Sequence, residues 1–259
     1  MSLKVGIIGG RGQMGQWFKR FFESRGLEVL IAEPGSVPSA PEVASQADLV
    51  VISVPLHLTE EIIGEIAPHM RPEALLTDLT SLKQGPVNAM LQSFPGEVVG
   101  THPLFGPGEE SMTGRNMVLC PGRGERWFQW LQEIFSQAGA NILITTPAEH
   151  DTLMSLVQGL THFVLIALGA TFRQLGADLE RMDSFSTPTF RAVFDQVHNL
   201  VNQNYPLYAC IQLRNQANAP TLAAFEEIVT QLRELVVKKD ASGLIKILRD
   251  NQEYFEKGK

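Results

Sequence analysis

Apolar positions along the first part of the chain alternate between two patterns. Short β-branched runs occupy residues 4–9, 28–32, 49–54, 75–78, 98–101, 117–120 and 142–145. Between several of them, apolar residues recur every three or four positions. Segment 13–24 places Met14, Trp17, Phe18, Phe21 and Phe22 on one face, and 60–70 and 126–138 follow the same rule. Strands alternating with helices predict βαβ units and an α/β fold with a doubly wound, mostly parallel sheet. The Pro-, Ser- and Gly-rich segment 34–41 reads as a connecting loop.

The pattern changes near Pro147, beyond which no strand is expected. Residues 151–174 form a long helix, with Leu153, Leu156, Val157, Leu160, Val164, Ala167 and Leu168 as one stripe. Past Phe163 this helix is apolar almost all round, so it must be covered on every side. Two later helices are expected, over 221–237 and 241–255. The expected organisation is an α/β domain over 1–146 and an all-α domain over 147–259. A second copy of the chain is expected to cover the long helix.

Composition narrows the function classes. Apolar residues make up 44% and charged residues 19%, which fits a globular chain. With 21 Lys and Arg against 28 Asp and Glu, the net charge is −7, which argues against nucleic acid or an anionic membrane as partner. An anionic small substrate then needs a locally placed Arg or Lys. Two cysteines among 259 residues exclude a disulfide scaffold. No C-x-x-C or H-E-x-x-H motif is present, so no metal site is expected. The apolar runs are short of the ~20 residues of a membrane span, and the N-terminus does not read as a signal peptide. A cytoplasmic location is expected.

Gly10-Arg11-Gly12-Gln13-Met14-Gly15 is a G-x-G-x-x-G turn between the first strand and the first helix, the context of a Rossmann-type dinucleotide site. Gly10 permits the tight turn, Gly12 lets backbone approach a pyrophosphate, and Gly15 lets helix and strand pack closely. Glu33 ends the second strand, 23 residues after Gly10, where an acid accepts the adenosine ribose hydroxyls and repels a 2′-phosphate. NAD is therefore expected rather than NADP, although Arg11 in the loop is available to a phosphate. Ligands of such sheets bind beyond the carboxyl ends of the strands. The residues there are Ser53-Val54-Pro55, Asp78-Leu79-Thr80-Ser81-Leu82-Lys83 and His102-Pro103-Leu104-Phe105-Gly106-Pro107. A His on this rim exchanges protons near neutral pH and is suited to act as a base.

The runs G-G-R-G-Q-M-G (9–15), D-L-T-S-L-K (78–83), T-H-P-L-F-G-P (101–107) and E-H-D-T-L-M-S-L-V-Q-G-L-T-H-F (149–163), in that order, resemble the prephenate dehydrogenase family, which includes arogenate dehydrogenases. The resemblance spans nearly the whole chain. It implies a nucleotide-binding domain and a helical dimerisation domain with the active site between them. It also implies NAD-dependent oxidation of an anionic cyclohexadienol with loss of its ring carboxylate. The family's catalytic His falls on His102 and its Ser partner on Ser81, placed to orient the His. The Arg that holds the ring carboxylate falls on Arg191, which suits the forked pairing of a guanidinium with a carboxylate. Gln158 and His162, four residues apart on the long helix, are assigned to the substrate cleft, and Ser53 and Pro55 to the cofactor.

Thr161 and the run Gly108-Glu109-Glu110 depart from the family pattern, which leaves the role of Glu109 open. His150 and Asp151 open the long helix. There they either contact substrate or cofactor, or Asp151 satisfies free N–H groups at the helix start. The chain is expected to carry no chorismate mutase or regulatory domain, so any inhibition by tyrosine acts at the active site. Substrate stays open between prephenate, arogenate and 4-amino-4-deoxyprephenate. More distant readings are a β-hydroxyacid dehydrogenase or imine reductase, disfavoured because no Lys lies between Lys83 and Lys238, and a non-catalytic NAD sensor.

Overall fold

A computed structural model describes residues 3–33, 35–202 and 204–258. Pro34, the first residue of the expected loop over 34–41, lies outside the described residues. The β-branched runs form strands β1 (Lys4–Ile8), β2 (Glu28–Ala32), β3 (Leu49–Ile52), β4 (Leu75–Asp78), β5 (Glu97–Pro103), β6 (Asn116–Arg123) and β7 (Asn141–Ile144). They make one sheet in the order β2-β1-β3-β4-β5-β6-β7. The strands from β2 to β5 are parallel, β6 runs antiparallel to β5, and β7 is parallel to β6.

Helices α1 (Gln13–Ser24), α2 (Ala40–Gln46), α3 (Thr59–Ile66), α4 (Gln84–Ser93) and α5 (Arg126–Gln137) cover the two faces. Phe18 and Phe22 of α1 and Phe135 of α5 pack on one side, with Val5, Leu49 and Val99 of the sheet. Val43 of α2, Ile63 of α3 and Met90 of α4 pack on the other, with Val50, Ile52 and Leu76. Burial on both faces is why β3 reads as an unbroken apolar run.

Helix α2 corrects the loop expected over 34–41, which overran it by two residues. Ser39 accepts from the Glu42 amide while the Glu42 carboxylate takes the Ser39 amide, a reciprocal cap. Pro41 lies in the first turn, where a missing N–H costs no hydrogen bond.

The second half is helical: α6 (Pro147–Met154), a π-helical turn over Ser155–Leu160, α7 (Thr161–Gln174), α8 (Leu179–Ser184), α9 (Pro188–Val201), α10 (Tyr205–Arg214), α11 (Asn218–Lys238) and α12 (Ala241–Lys257). Here α8, α9 and α10 add to the two later helices expected from the pattern. Each is announced by its cap. Asp178, Thr187 and Asn204 accept from the amides of Arg181, Phe190 and Leu207. The long helix starts at Pro147 rather than 151 and runs for 28 residues to Gln174. By length and composition it meets the criterion for a membrane span, which the short apolar runs had not suggested. Its first turns instead carry buried His150 and Asp151 against the sheet domain.

Candidate active site

The sheet register sets the parts of the site in one row. Ile8, Ala32, Ile52, Asp78 and Gly100 are neighbours across the five parallel strands. The residues that follow them, Gly9, Glu33, Ser53, Leu79 and Thr101, therefore share one edge. Strand β5 continues further, because antiparallel β6 pairs His102 with Val118 and Pro103 with Met117. That extension delivers His102 to the carboxyl rim while keeping it buried.

The strand order reverses between β1 and β3, the crevice where such sheets hold a nucleotide. A Cβ at Gly15 would lie 2.5 Å from the Gly9 carbonyl oxygen, so only glycine lets α1 approach the turn this closely. A Cβ at Gly12 would meet nothing nearer than that same oxygen at 3.3 Å, and the backbone of the exposed turn is open to a ligand. Helix α1 begins at Gln13 with no side-chain cap and no acidic residue in its first turn. Its first amides thus remain for an anion, aided by the helix dipole. Met14 turns its side chain into the core and offers backbone only. The Ser53 amide donates to the Ile8 carbonyl at 2.8 Å, closing the β3 end against the turn, and exposed Pro55 follows. Glu33 accepts from the Arg11 amide at 2.5 Å, so its carboxylate is held at the Gly-rich turn. These residues fit a dinucleotide: bare amides for the pyrophosphate, and an acid for the ribose.

Three strands beyond β1, a polar cluster is sealed under the rim. Lys83 and Asp78 are fully buried and ion-paired. The Lys83 ammonium also donates to the Thr101 carbonyl of β5 at 2.7 Å and to Thr80 Oγ1 at 3.3 Å, so its donors are used inside the protein. His102 Nδ1 lies 2.9 Å from His150 Nε2. His150 Nδ1 lies 2.7 Å from Asp151 Oδ1. Asp151 accepts from the amides of Lys83 at 2.8 Å and Gln84 at 2.9 Å, capping α4. Burial, followed by the nearby His150 and Lys83, pushes His102 well below the ordinary imidazole range, so the ring is neutral at physiological pH.

Other assigned residues stand apart from this cluster. Ser81 is half-buried in the loop after β4, and among the described residues it makes no hydrogen bond to the His102 ring. The ring's Nδ1 is taken by His150. Gln158 lies in the π-helical turn and His162 in the first turn of α7. Among the described residues, Gln158 Oε1 and His162 Nδ1 are buried atoms without a hydrogen-bond partner. The His162 ring packs edge-on against Tyr208, 4.6 Å between centroids. Arg191, on α9, is half-exposed and ion-paired with Asp183 rather than with a residue of the His102 cluster. Glu109 pairs with Arg115 at 2.7 Å on the surface. His150 and Asp151 are the residues whose place sequence reasoning missed. Asp151 does satisfy helix N–H groups, but those of α4, 67 and more residues away in the chain.

Two family models match the chain. One, described as prephenate dehydrogenase, nucleotide-binding domain, matches residues 33–144. The other, described as prephenate dehydrogenase, dimerization domain, matches residues 146–250. The Gly-rich turn precedes the first match, so its assignment stands on the strand–turn–helix geometry. The chain is 32% identical to a probable arogenate/prephenate dehydrogenase of Methanocaldococcus jannaschii over 98% of its own length and 61% of that protein's. It is 32% identical to the T-protein of Enterobacter agglomerans over 97% of its own length and 67% of that protein's. In fold it resembles prephenate dehydrogenase from A. aeolicus, solved with hydroxyphenyl propionate and NAD+. The TM-score is 0.77 at 19% identity, covering 100% of this chain and 99% of that one.

Proposed function

The chain belongs to the prephenate dehydrogenase family, and on that premise we propose that it oxidises prephenate with NAD and releases the ring carboxylate as carbon dioxide, giving 4-hydroxyphenylpyruvate. The observation that carries this reading is His102, a buried neutral imidazole on the carboxyl rim of the sheet that holds the nucleotide cradle. A bound nicotinamide supplies the acceptor for the carbinol hydrogen and its electron pair. His102 holds the hydroxyl proton while the carbinol C–H and the C–C bond to the carboxylate break. The pair from the C–C bond enters the ring, and the proton returns to the phenol oxygen, so the residue ends the cycle as it began. General-base assistance of this kind is worth ~10²–10⁴-fold.

Substrate charge calls for a cation that is not already committed. Lys83 is sealed against Asp78. Arg191 is half-exposed and can exchange Asp183 for the ring carboxylate, so it is the residue assigned to that role. Gln158 and His162 supply unpartnered polar atoms for the side-chain end. Glu33 at the Gly-rich turn favours NAD, because a 2′-phosphate would meet its carboxylate. Arogenate is the second reading, favoured by one observation: Gln158 Oε1 is an acceptor that an α-ammonium satisfies and a ketone does not. The enzyme works as a cytoplasmic homodimer through its helical half. In support, no residue of α7 is buried, and Phe163 and Ile166 on it are exposed.

Absorbance at 340 nm with prephenate, arogenate and 4-amino-4-deoxyprephenate, each with NAD and with NADP, tests the reading. The expected result is turnover with prephenate and NAD, and its loss by at least ~10²-fold in His102→Ala with NAD binding kept. Normal turnover in that variant removes His102 from the reaction. No turnover of any of the three substrates by the unaltered protein overturns the reading as a whole.

A further inference from the structure

We propose that His150 and Asp151 are positioning residues that set the tautomer of His102, so that the helical half of the chain arms a base carried by the nucleotide-binding half. The inference deepens the reaction proposed above and rests on it for its kinetic consequence, although the tautomer itself does not.

The argument follows the protons from one end. Asp151 receives two backbone amides, Lys83 N–H on Oδ1 and Gln84 N–H on Oδ2. Its carboxylate is therefore an acceptor on both oxygens. The 2.7 Å contact to His150 then needs a hydrogen on His150 Nδ1. A neutral imidazole protonated at Nδ1 has a lone pair on Nε2. That lone pair faces His102 Nδ1 at 2.9 Å, so the hydrogen of this second bond comes from His102. His102 is left with a lone pair on Nε2, the form a base needs. The opposite assignment would set two lone pairs against each other at the Asp151 end.

The chain is also fixed in place at both ends. Asp151 is anchored by the α4 amides on its side chain and by the Asn215 amide, which donates to its backbone carbonyl at 2.8 Å. His150 and Asp151 are both buried, so water does not compete for these bonds. Lys83 faces the cluster from the loop after β4, but Asp78 holds its ammonium. The arrangement follows the logic of an acid that orients an imidazole without taking its proton, lengthened here by one ring.

The test is a long-range ¹H–¹⁵N spectrum of the full chain labelled with ¹⁵N-histidine, recorded without ligand at neutral pH. His102 is expected to show a protonated Nδ1 and an unprotonated Nε2. Asp151→Leu removes the acceptor that holds a hydrogen on His150 Nδ1, so the two rings are no longer held to one tautomer. His102 should then carry part of its proton population on Nε2, and kcat should fall toward the ~10²-fold loss of an absent base, with the KM and the dissociation constant for NAD unchanged. His150→Gln, whose amide oxygen can accept from His102 Nδ1, should keep more turnover than His150→Leu. Because the spectrum is read on the unaltered protein, failure of a variant to fold leaves the inference testable. An Nε2 proton on His102 in that protein overturns it, whatever the activity. So does an Asp151→Leu variant with unchanged kcat. If the protein turns over none of the three substrates, the reaction fails while the spectrum still decides the relay.

Discussion

At the residue scale, burying an imidazole ties folding to pH. The unfolded chain takes up a proton on His102 near its ordinary value of 6.5, whereas the folded chain resists protonation until well below it. Between those points the unfolded state binds more protons, so stability is full above about pH 6.5 and is lost as the pH falls. The loss amounts to at most about 1.4 kcal/mol per pH unit for one such group. His162 is shifted in the same direction by partial burial and adds to the effect. Urea midpoints measured from pH 7.5 to 5 should therefore fall with pH, and His102→Leu should flatten the slope. A midpoint that stays level in the unaltered protein would mean that His102 is solvated. His102 was legible in the sequence because strand and rim are local features. Its partner His150, 48 residues on, was not, since a helix start looks the same whichever strand end it meets.

At the scale of elements, the π-helical turn at Ser155–Leu160 is the feature that an apolar stripe does not announce. It widens the long helix around Gln158, and such turns gather at functional sites. Side chains from the end of α10 and the start of α11 prop it open. Gln212 Nε2 donates to the Gly159 carbonyl at 2.8 Å, and Ser155 Oγ meets Thr221 Oγ1 at 2.8 Å. Gly159 itself leaves room for Asn218 Oδ1, which a Cβ there would strike. Gly159→Ala is expected to cost roughly 1–3 kcal/mol by overpacking, read as a lower urea midpoint, and to raise the KM for substrate more than that for NAD. A variant as stable as the parent would show that α11 yields without cost.

At the scale of the whole molecule, the two halves are built differently. The sheet domain holds two large clusters of buried residues, whereas α7, α8 and α12 bury none of theirs in a single chain. Leu156, Val157, Phe163 and Ile166 lie exposed along the long helix, and Ile228 and Val229 along α11. Apolar surface on this scale marks an interface. Light scattering should give twice the chain mass. Ile166→Asp should shift it toward the single chain and lower the melting temperature. A dimer unaffected by that substitution would move the interface elsewhere.

By itself the sequence determined the strands, the Gly-rich turn, the His on the rim and the switch to an all-helical half. Each of these is written in side-chain periodicity or in a backbone requirement that neighbouring residues meet. It also carried the caps of α8, α9 and α10. Only the tertiary structure decided which nitrogen of His102 faces a partner, which helix Asp151 caps, that Lys83 is sealed against Asp78, and that Arg191 rests on Asp183. Those pairings join groups far apart in the chain, and packing selects them through distance and burial, quantities that no local pattern of residues encodes.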